Sequence, residues 1–288
     1  MPQISRPGFT INYEITCPGN GPTLILVAGL GEQIGSVEYP VEQCEAFARR
    51  GFQVVRIDNR DCGLSLPTGG ADATPEQYTR LDIADDVAAV IDDLGVNKVH
   101  ILGASMGGFI VRFVALRHPE KIASLTVVMS GSAAGQNDPG PGLEPNVIEA
   151  LAAMAVRHDR EKAINDGVEN WRWLWGTKYA FDEAWVRERV AYAFDRAYRP
   201  EGIGRLLASA GAGGNLWIEQ TNITVPTLVV HGEEDPCFSA DHGRTIADRI
   251  PNAELWLDPS MGHIMHEEQW EELADRVHTL SQKTDMPA

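Results

Sequence analysis

Short apolar runs and longer amphipathic stretches alternate along most of the chain. The runs are typical of buried strands, and the stretches have the periodicity of helices that pack on a sheet. Strands are predicted at 10–15, 23–27, 53–57, 98–102, 124–129, 227–230 and 253–257, and helices at 41–50, 81–94, 106–118, 240–249 and 267–280. This order predicts an α/β fold with a mostly parallel central sheet and helices on both faces.

The alternation breaks once, between the fifth and sixth predicted strands. The intervening segment begins with a glycine- and proline-rich run, 135–142, and continues with helical patterns rich in aromatic residues. No convincing strand pattern interrupts them. We therefore expect one α/β core, formed by residues 1–133 and 222–288, with a helical cap inserted at residues 134–221.

A G-x-S-x-G motif stands between the fourth predicted strand and the helix that follows it. Here Ser105 has Gly103 and Gly107 two positions away on either side. A strand, a sharp turn and a helix around such a serine are typical of a nucleophile elbow, whose serine has a strained backbone and small neighbours. The turn also places Ser105 at a helix N-terminus, which favours developing negative charge. The motif predicts a nucleophilic serine.

A nucleophilic serine needs a general base and an acid that orients the base. The sixth predicted strand leads into an acidic turn with Asp235, and the seventh leads into a loop with His263. The 28 positions between them are about the length of one helix–strand unit, so both should lie at one edge of the sheet. Glu233 and Glu234 are the nearby alternatives for the acid, and no carboxylate follows the strand after the elbow.

These motifs resemble the α/β-hydrolase superfamily over residues 10–280. A further D-x-R-x-x-G-x-S segment at residues 58–65 is similar to one that the superfamily has after an early strand. Within the superfamily the chain is most similar to the small aclacinomycin-methylesterase-like branch, through the Arg60-Asp61 pair and the sequence around Ser105. The resemblance implies an α/β-hydrolase fold.

The resemblance also implies a role for each candidate residue. Ser105 would be the nucleophile, His263 the general base, and Asp235 the acid that orients it. The backbone N–H groups of Leu30 and Met106 would form the oxyanion hole. An alanine replaces the histidine that is common in the loop before Leu30, but a backbone donor does not need that imidazole.

Composition and charge exclude several other classes of protein. The chain of 288 residues has a formal net charge of −17, which argues against nucleic-acid binding. No apolar stretch approaches a membrane span, and the N-terminus lacks the apolar core of a signal peptide, so we expect a cytoplasmic protein without membrane contact. The four cysteines form no C-x-x-C pair, which favours reduced thiols.

Two patterns that could indicate a cofactor or a metal are weak. The glycines of residues 29–35 follow a strand, but they read G-x-G-x-x-x-G, one residue too long for a dinucleotide-binding loop. His263 and His266 have H-x-x-H spacing, but no carboxylate–cysteine cluster supports a metal site. We therefore expect neither a cofactor nor a metal.

Aromatic residues are dense in the predicted cap. Trp171, Trp173, Trp175 and Trp185 are candidates to line an apolar substrate pocket, although packing of the cap explains them nearly as well. The sequence thus predicts a serine hydrolase that cleaves a small apolar carboxylic ester or lactone through an acyl-enzyme. The same triad would serve a thioesterase, a carbon–carbon bond hydrolase or a cofactor-free perhydrolase, and a slow-turnover ligand receptor is a further alternative.

Overall fold

Nine strands form one sheet in the computed structural model, which describes residues 1–71, 73–133, 138, 140–211 and 215–283. The strands are β1 (Gln3–Arg6), β2 (Phe9–Cys17), β3 (Thr23–Val27), β4 (Gln53–Ile57), β5 (Leu66–Pro67), β6 (Val99–Ala104), β7 (Ile122–Val128), β8 (Thr227–Gly232) and β9 (Glu254–Asp258). The helices are α1 (Val41–Ala48), α2 (Arg80–Asp93), α3 (Met106–Arg117), α4 (Pro145–Ala153), α5 (Arg160–Leu174), α6 (Glu183–Ala197), α7 (Pro200–Ala208), α8 (Leu216–Glu219), α9 (Ala240–Arg249) and α10 (Glu267–Gln282).

The sheet is mostly parallel. Its strand order is β1-β2-β4-β3-β6-β7-β8-β9, and β5 lies beside β2. All pairs from β4 to β9 along this order are parallel, whereas β1, β2 and β5 form an antiparallel edge. Every residue of β3, β6 and β8 is buried, which explains why these strands read as continuous apolar runs.

Helices cover both faces of the sheet. On one face, α1 and α10 bury Phe47 and Val277 against the apolar side chains of β3 and β8. On the other face, α2, α3 and α9 contribute Val87, Ile110 and Ile246 to the larger core. The predicted α/β architecture is therefore confirmed.

The sequence patterns missed two short strands at the antiparallel edge. β1 has four residues and β5 has two, which are too few to show a periodicity. Both pair with β2, so tertiary contacts rather than local pattern define them. The five helices predicted outside the insertion are present as α1, α2, α3, α9 and α10, with ends displaced by a few residues.

Five helices, α4 to α8, lie between β7 and β8, where the alternation of strand and helix breaks. The predicted cap begins at residue 134, and residues 134–137 lie outside the described residues. The division into a core of residues 1–133 and 222–288 and a cap of residues 134–221 stays a prediction. Ion pairs join this insertion to the loop after β4: Arg196 contacts Asp58 at 2.8 Å, and Arg205 contacts Asp61 at 2.6 Å. Both carboxylates are fully buried, so breaking either ion pair would leave a buried charge without a partner. The two ion pairs therefore hold the helices of the insertion against this loop.

Candidate active site

Ser105 lies on a strained turn between β6 and α3. Its φ is 52° and its ψ is −117°, values that L-residues rarely adopt. A Cβ at Gly103 would lie 2.3 Å from the carbonyl oxygen of Gly107, and one at Gly107 would lie 2.0 Å from that of Val27. Only glycine fits at these two positions. The backbone N–H of Ser105 donates to the carbonyl of Val128 at 3.0 Å, which fixes the turn on the neighbouring strand.

His263 and Asp235 form a hydrogen-bonded pair at the carboxyl ends of β8 and β9. The Nδ1 atom of His263 lies 2.8 Å from Oδ2 of Asp235. The other carboxylate oxygen, Oδ1, accepts the backbone N–H groups of Cys237 and Phe238 at 2.7 and 2.9 Å. Because three donors share two oxygens, the carboxylate is held in one orientation with its charge towards the imidazole.

The loop that carries Asp235 and the loop that carries His263 are hydrogen-bonded to each other and to the insertion. The N–H of Glu234 donates to the carbonyl of Met261 at 3.1 Å. A Cβ at Gly232 would lie 1.9 Å from that same carbonyl oxygen, so the two loops approach as closely as glycine allows. The N–H of His263 donates to the carbonyl of Leu174, at the end of α5, at 2.7 Å. The insertion thus helps to position the histidine.

The other acidic residues of the turn point elsewhere. Glu233 is exposed and pairs with Arg244 at 3.4 Å. Glu234 accepts hydrogen bonds from the backbone and the hydroxyl of Thr177, at 2.5 and 2.8 Å. Of the three candidates for the acid, the structure therefore brings only Asp235 to His263.

His231 is buried beside the turn that carries Asp235 and contacts the backbone of that turn. Its Nε2 lies 2.8 Å from the carbonyl oxygen of Phe238 and 3.5 Å from Oδ2 of Asp235. Burial lowers the pKa of His231 below its ordinary value, so the ring is neutral and donates to that carbonyl. It stabilises the backbone whose N–H groups hold Asp235.

The loop after β3 lies directly against Ser105. A Cβ at Gly29 would lie 3.2 Å from Cβ of Ser105. The N–H of Gly29 donates to Oε2 of Glu38 at 2.7 Å, so it is not available to a substrate. Leu30, the next residue, lines the cavity at Ser105, and Met106 is the first residue of α3. Both expected oxyanion-hole residues are therefore beside the serine.

A small cavity of about 40 Å³ joins the candidate residues. Ser105 and His263 both line it, together with Trp171 and Trp173 of α5. It adjoins a larger cavity of about 620 Å³ beneath the helices of the insertion, which Trp171 and Trp173 also line. A volume in this range is typical of small-molecule sites.

Trp175 and Trp185 are not among the described residues that line either cavity. Trp175 is buried against Phe181 and His266, with ring centroids 5.0 and 4.9 Å apart. The ring of Trp185 lies beneath the guanidinium of Arg189 at 4.0 Å. Trp175 directly follows α5, and Trp185 lies in the first turn of α6. Both tryptophans pack against other residues of the insertion or of the loop that carries His263.

Four polar cavity residues were not singled out from the sequence. They are Glu32, Glu38, Asn170 and Cys237. Glu32 and Glu38 lie between β3 and α1, in a segment whose local pattern gives no sign of burial. Cys237 follows Asp235 by two residues, and burial raises the pKa of its thiol to about 12. For Glu32, Glu38 and Cys237, a position in the chain close to Leu30 or to Asp235 was the only signal that the sequence offered.

The described part of the chain has neither a cluster of metal ligands nor a membrane-spanning helix. Within it, no three His, Cys, Asp or Glu side chains are grouped as ligands of a metal ion. None of its helices has the length and apolar character needed to cross a bilayer. The cysteines Cys17, Cys44, Cys62 and Cys237 are free thiols.

Comparison with known proteins gives related sequences over nearly the whole chain. A family model described as the alpha/beta hydrolase fold matches residues 22–269. Rhodomycin D methylesterase of a Streptomyces species is 30% identical over 91% of this chain and 91% of its own length. The rhodomycin D methylesterase of Streptomyces peucetius is 28% identical over 86% of each chain.

Solved structures share the architecture. An enol-lactonase from Burkholderia xenovorans superposes with a TM-score of 0.76, at 24% identity, over 98% of this chain and 100% of that one. A thermophilic esterase from Thermogutta terrifontis gives a TM-score of 0.73 at 20% identity, over 99% and 100% of the two chains. At these identities the similarity establishes the fold.

Proposed function

The chain belongs to the α/β-hydrolase fold family, and we propose that it is a serine hydrolase that cleaves a carboxylic ester or lactone through an acyl-enzyme. The resemblance to the aclacinomycin-methylesterase-like branch is confirmed by the two rhodomycin D methylesterase relatives. The methylesterase activity for which these two relatives are named agrees with this reaction class. Family membership alone does not select the reaction, so the proposal depends on the site.

One observation supports it above the others. Ser105, on its strained turn, and His263, bonded to Asp235, line the same cavity. A nucleophile, a base and an orienting acid in this relation are the elements of acyl transfer by a serine enzyme.

In the proposed first half-reaction, Oγ of Ser105 attacks the carbonyl carbon while Nε2 of His263 takes the hydroxyl proton. The electron pair of the carbonyl moves onto its oxygen, where the N–H groups of Leu30 and Met106 donate to it. The dipole of α3 adds to this stabilisation because Met106 begins the helix. Collapse of the intermediate breaks the bond to the alkoxy oxygen, which receives the proton from His263.

Water repeats the sequence on the acyl-enzyme. His263 takes a proton from the water as it attacks the acyl carbon, and the new tetrahedral oxyanion occupies the same two N–H donors. Collapse releases the carboxylic acid, and the proton returns to Oγ of Ser105. Asp235 stabilises the imidazolium in both halves, since its Oδ2 contacts Nδ1.

The two cavities suggest an uncharged, largely apolar substrate. The cavity at Ser105 is small, whereas the adjoining one of about 620 Å³ can hold a much bulkier group. The net charge of −17 adds a repulsion for anionic substrates at low salt. We therefore expect Trp171 and Trp173 to contact the apolar part of an ester whose carbonyl reaches Ser105.

A hydrolysis panel tests this function. It spans acyl chain length, methyl esters, lactones and thioesters, with wild type and Ser105→Ala. We expect turnover of uncharged esters or lactones by the wild type and at least a 10⁴-fold lower rate in Ser105→Ala. Turnover that survives in Ser105→Ala would exclude the acyl-enzyme. Binding without turnover in the wild type would instead favour a ligand receptor.

A further inference from the structure

Two acidic side chains face the cavity at Ser105, and the proposed mechanism gives neither of them a role. Glu32 and Glu38 both line this cavity. Neither forms an ion pair with any of the lysine, arginine or histidine residues that the structure describes. Glu38 is buried and Glu32 is half-buried. Two carboxyl groups so placed without a cation are unusual, because at least one charge must be stabilised or removed.

Glu32 has the hydrogen bonds that a carboxylate needs. Its Oε2 accepts from the hydroxyl of Ser36 at 2.5 Å and from the backbone N–H of Glu38 at 3.1 Å. Burial raises the pKa of Glu32 above its ordinary value, although these donors and the N–H of Val37 oppose the rise. Because three donors favour its charged form, Glu32 is the member of the pair that ionises first.

Glu38 is in the opposite situation. Its Oε2 accepts one hydrogen bond, from the N–H of Gly29 at 2.7 Å. Burial raises the pKa of Glu38 well above its ordinary value, and the neighbouring charge of Glu32 raises it further. Glu38 is therefore the neutral member. Its proton belongs on Oε1, because Oε2 faces the Gly29 donor.

The protonated oxygen is on the side of the nucleophile. A Cβ placed at Gly29 would lie 2.8 Å from Oε1 of Glu38 and 3.2 Å from Cβ of Ser105, so the same small space separates all three. Oε1 takes part in no hydrogen bond among the described residues, since the N–H of Gly29 donates to Oε2. An O–H on this atom is thus free to donate into the cavity.

The other titratable groups around Glu38 do not replace it. Tyr39 adjoins it in a second small void, and Cys237 and His263 face it across the cavity at Ser105. Burial raises the pKa of Tyr39 above its ordinary value and that of Cys237 to about 12, so both are neutral at pH 7. His263 is committed to Asp235 through Nδ1.

We propose that Glu38 is a substrate-binding residue: as a neutral carboxylic acid, it donates a hydrogen bond from Oε1 to an oxygen of the ester or lactone group at Ser105. The proposal rests on the proposed function for the identity of that group. A buried carboxylic acid kept neutral can serve as a donor at neutral pH, as a neutral aspartic acid does in ketosteroid isomerase. Glu32 has a positioning role, since its charge keeps the proton on Glu38.

Infrared spectroscopy of the wild type and of paired variants measures the protonation state of the Glu38 carboxyl group. At pH 7 we expect the carbonyl stretching band of a protonated carboxylic acid in the wild type, lost in Glu38→Gln. Glu45→Gln, which changes an exposed carboxylate of α1, is the matched control and should keep the band. A band that is unchanged by Glu38→Gln would overturn the proposal.

Kinetics on an uncharged activated ester measure the donor role. We expect Glu38→Leu to lower kcat/KM by about tenfold or more at pH 7, and Glu38→Gln, which keeps an N–H donor and an acceptor for Gly29, to recover most of that loss. In the wild type, kcat/KM should fall at high pH over the range in which the infrared band disappears. Glu32→Gln should shift the fall in kcat/KM and the loss of the infrared band to lower pH, because it removes the negative charge that raises the pKa of Glu38.

The outcomes separate this inference from the proposed function. Loss of the infrared band without loss of kcat/KM in the same pH range would overturn the donor role, while ester hydrolysis through Ser105 would stand. A loss in Glu38→Leu that Glu38→Gln fails to recover would also overturn it, since glutamine keeps both an N–H donor and an acceptor for the N–H of Gly29. Absence of ester turnover in all forms, with no labelling of Ser105 by a phosphonate, would refute the proposed function itself.

Discussion

Replacing Asp235 by asparagine tests how the acid acts on the histidine. In the wild type, Oδ1 accepts the N–H groups of Cys237 and Phe238, and Oδ2 lies 2.8 Å from Nδ1 of His263. In Asp235→Asn the amide oxygen must keep the position of Oδ1, because an NH₂ group there would face two donors. The amide nitrogen then faces His263 and donates to Nδ1.

This reversal gives His263 the wrong tautomer. With Nδ1 as an acceptor, the proton of the neutral ring moves to Nε2, which can no longer accept the proton of Ser105. We expect kcat to fall by about 10⁴-fold, the loss known for the same change in a serine protease. This corresponds to about 5 kcal/mol of transition-state stabilisation. The fold should persist, because the hydrogen bonds of the turn are retained.

The assay is steady-state hydrolysis of an uncharged p-nitrophenyl ester, with circular dichroism and thermal unfolding as checks on folding. Glu233→Gln is the matched control, because it makes the same chemical change two residues away on an exposed side chain. We expect its kcat to stay within about threefold of the wild type. An Asp235→Asn rate within tenfold of the wild type, or an equal loss in Glu233→Gln, would refute this account of the acid.

Four further substitutions test the insertion and the pH dependence of stability. Trp173→Ala should change the ranking of ester substrates, whereas Trp175→Ala should leave the ranking unchanged and lower stability to urea by about 3 kcal/mol, as for other buried large-to-small changes. Arg205→Met should lower stability by about 2 kcal/mol, since it leaves the buried carboxylate of Asp61 without its guanidinium partner; equal urea midpoints would contradict this. Burial lowers the pKa of His242 to about 4, so the unfolded chain binds a proton first and stability falls as pH drops from about 6.5 towards 4. His242→Asn should reduce the loss between pH 7 and pH 5 by about 1 kcal/mol after solvent screening, and an unchanged loss in urea titrations would show that this histidine is not responsible.

The elbow could be predicted because its determinants are local. The strained φ of Ser105 and the absent Cβ atoms of Gly103 and Gly107 follow from five consecutive residues between a strand and a helix. The pairing of Asp235 with His263 could also be expected, because their loops follow strands that are adjacent in the sheet. The length of the connection and the succession of the two strands were therefore enough to predict that Asp235 and His263 lie together.

The lining of the cavity could not be predicted in the same way. Trp171 and Trp173 face the cavity, whereas Trp175, two residues further on, packs against His266. This difference arises where α5 ends and the chain turns, and no spacing in the sequence reports it. The burial of Glu38 likewise depends on the fold of the loop after β3. Propensity and periodicity describe elements, whereas such contacts depend on how elements pack.

Covalent labelling of the serine tests the central claim most directly. The purified protein is treated with a fluorophosphonate, and the intact mass and the modified peptide are measured for the wild type and for Ser105→Ala. The account predicts one phosphonyl group per chain, located on Ser105, with loss of ester hydrolysis in proportion to labelling, and no adduct in Ser105→Ala. An unlabelled wild type that still hydrolyses esters, or an adduct at another residue, would contradict it.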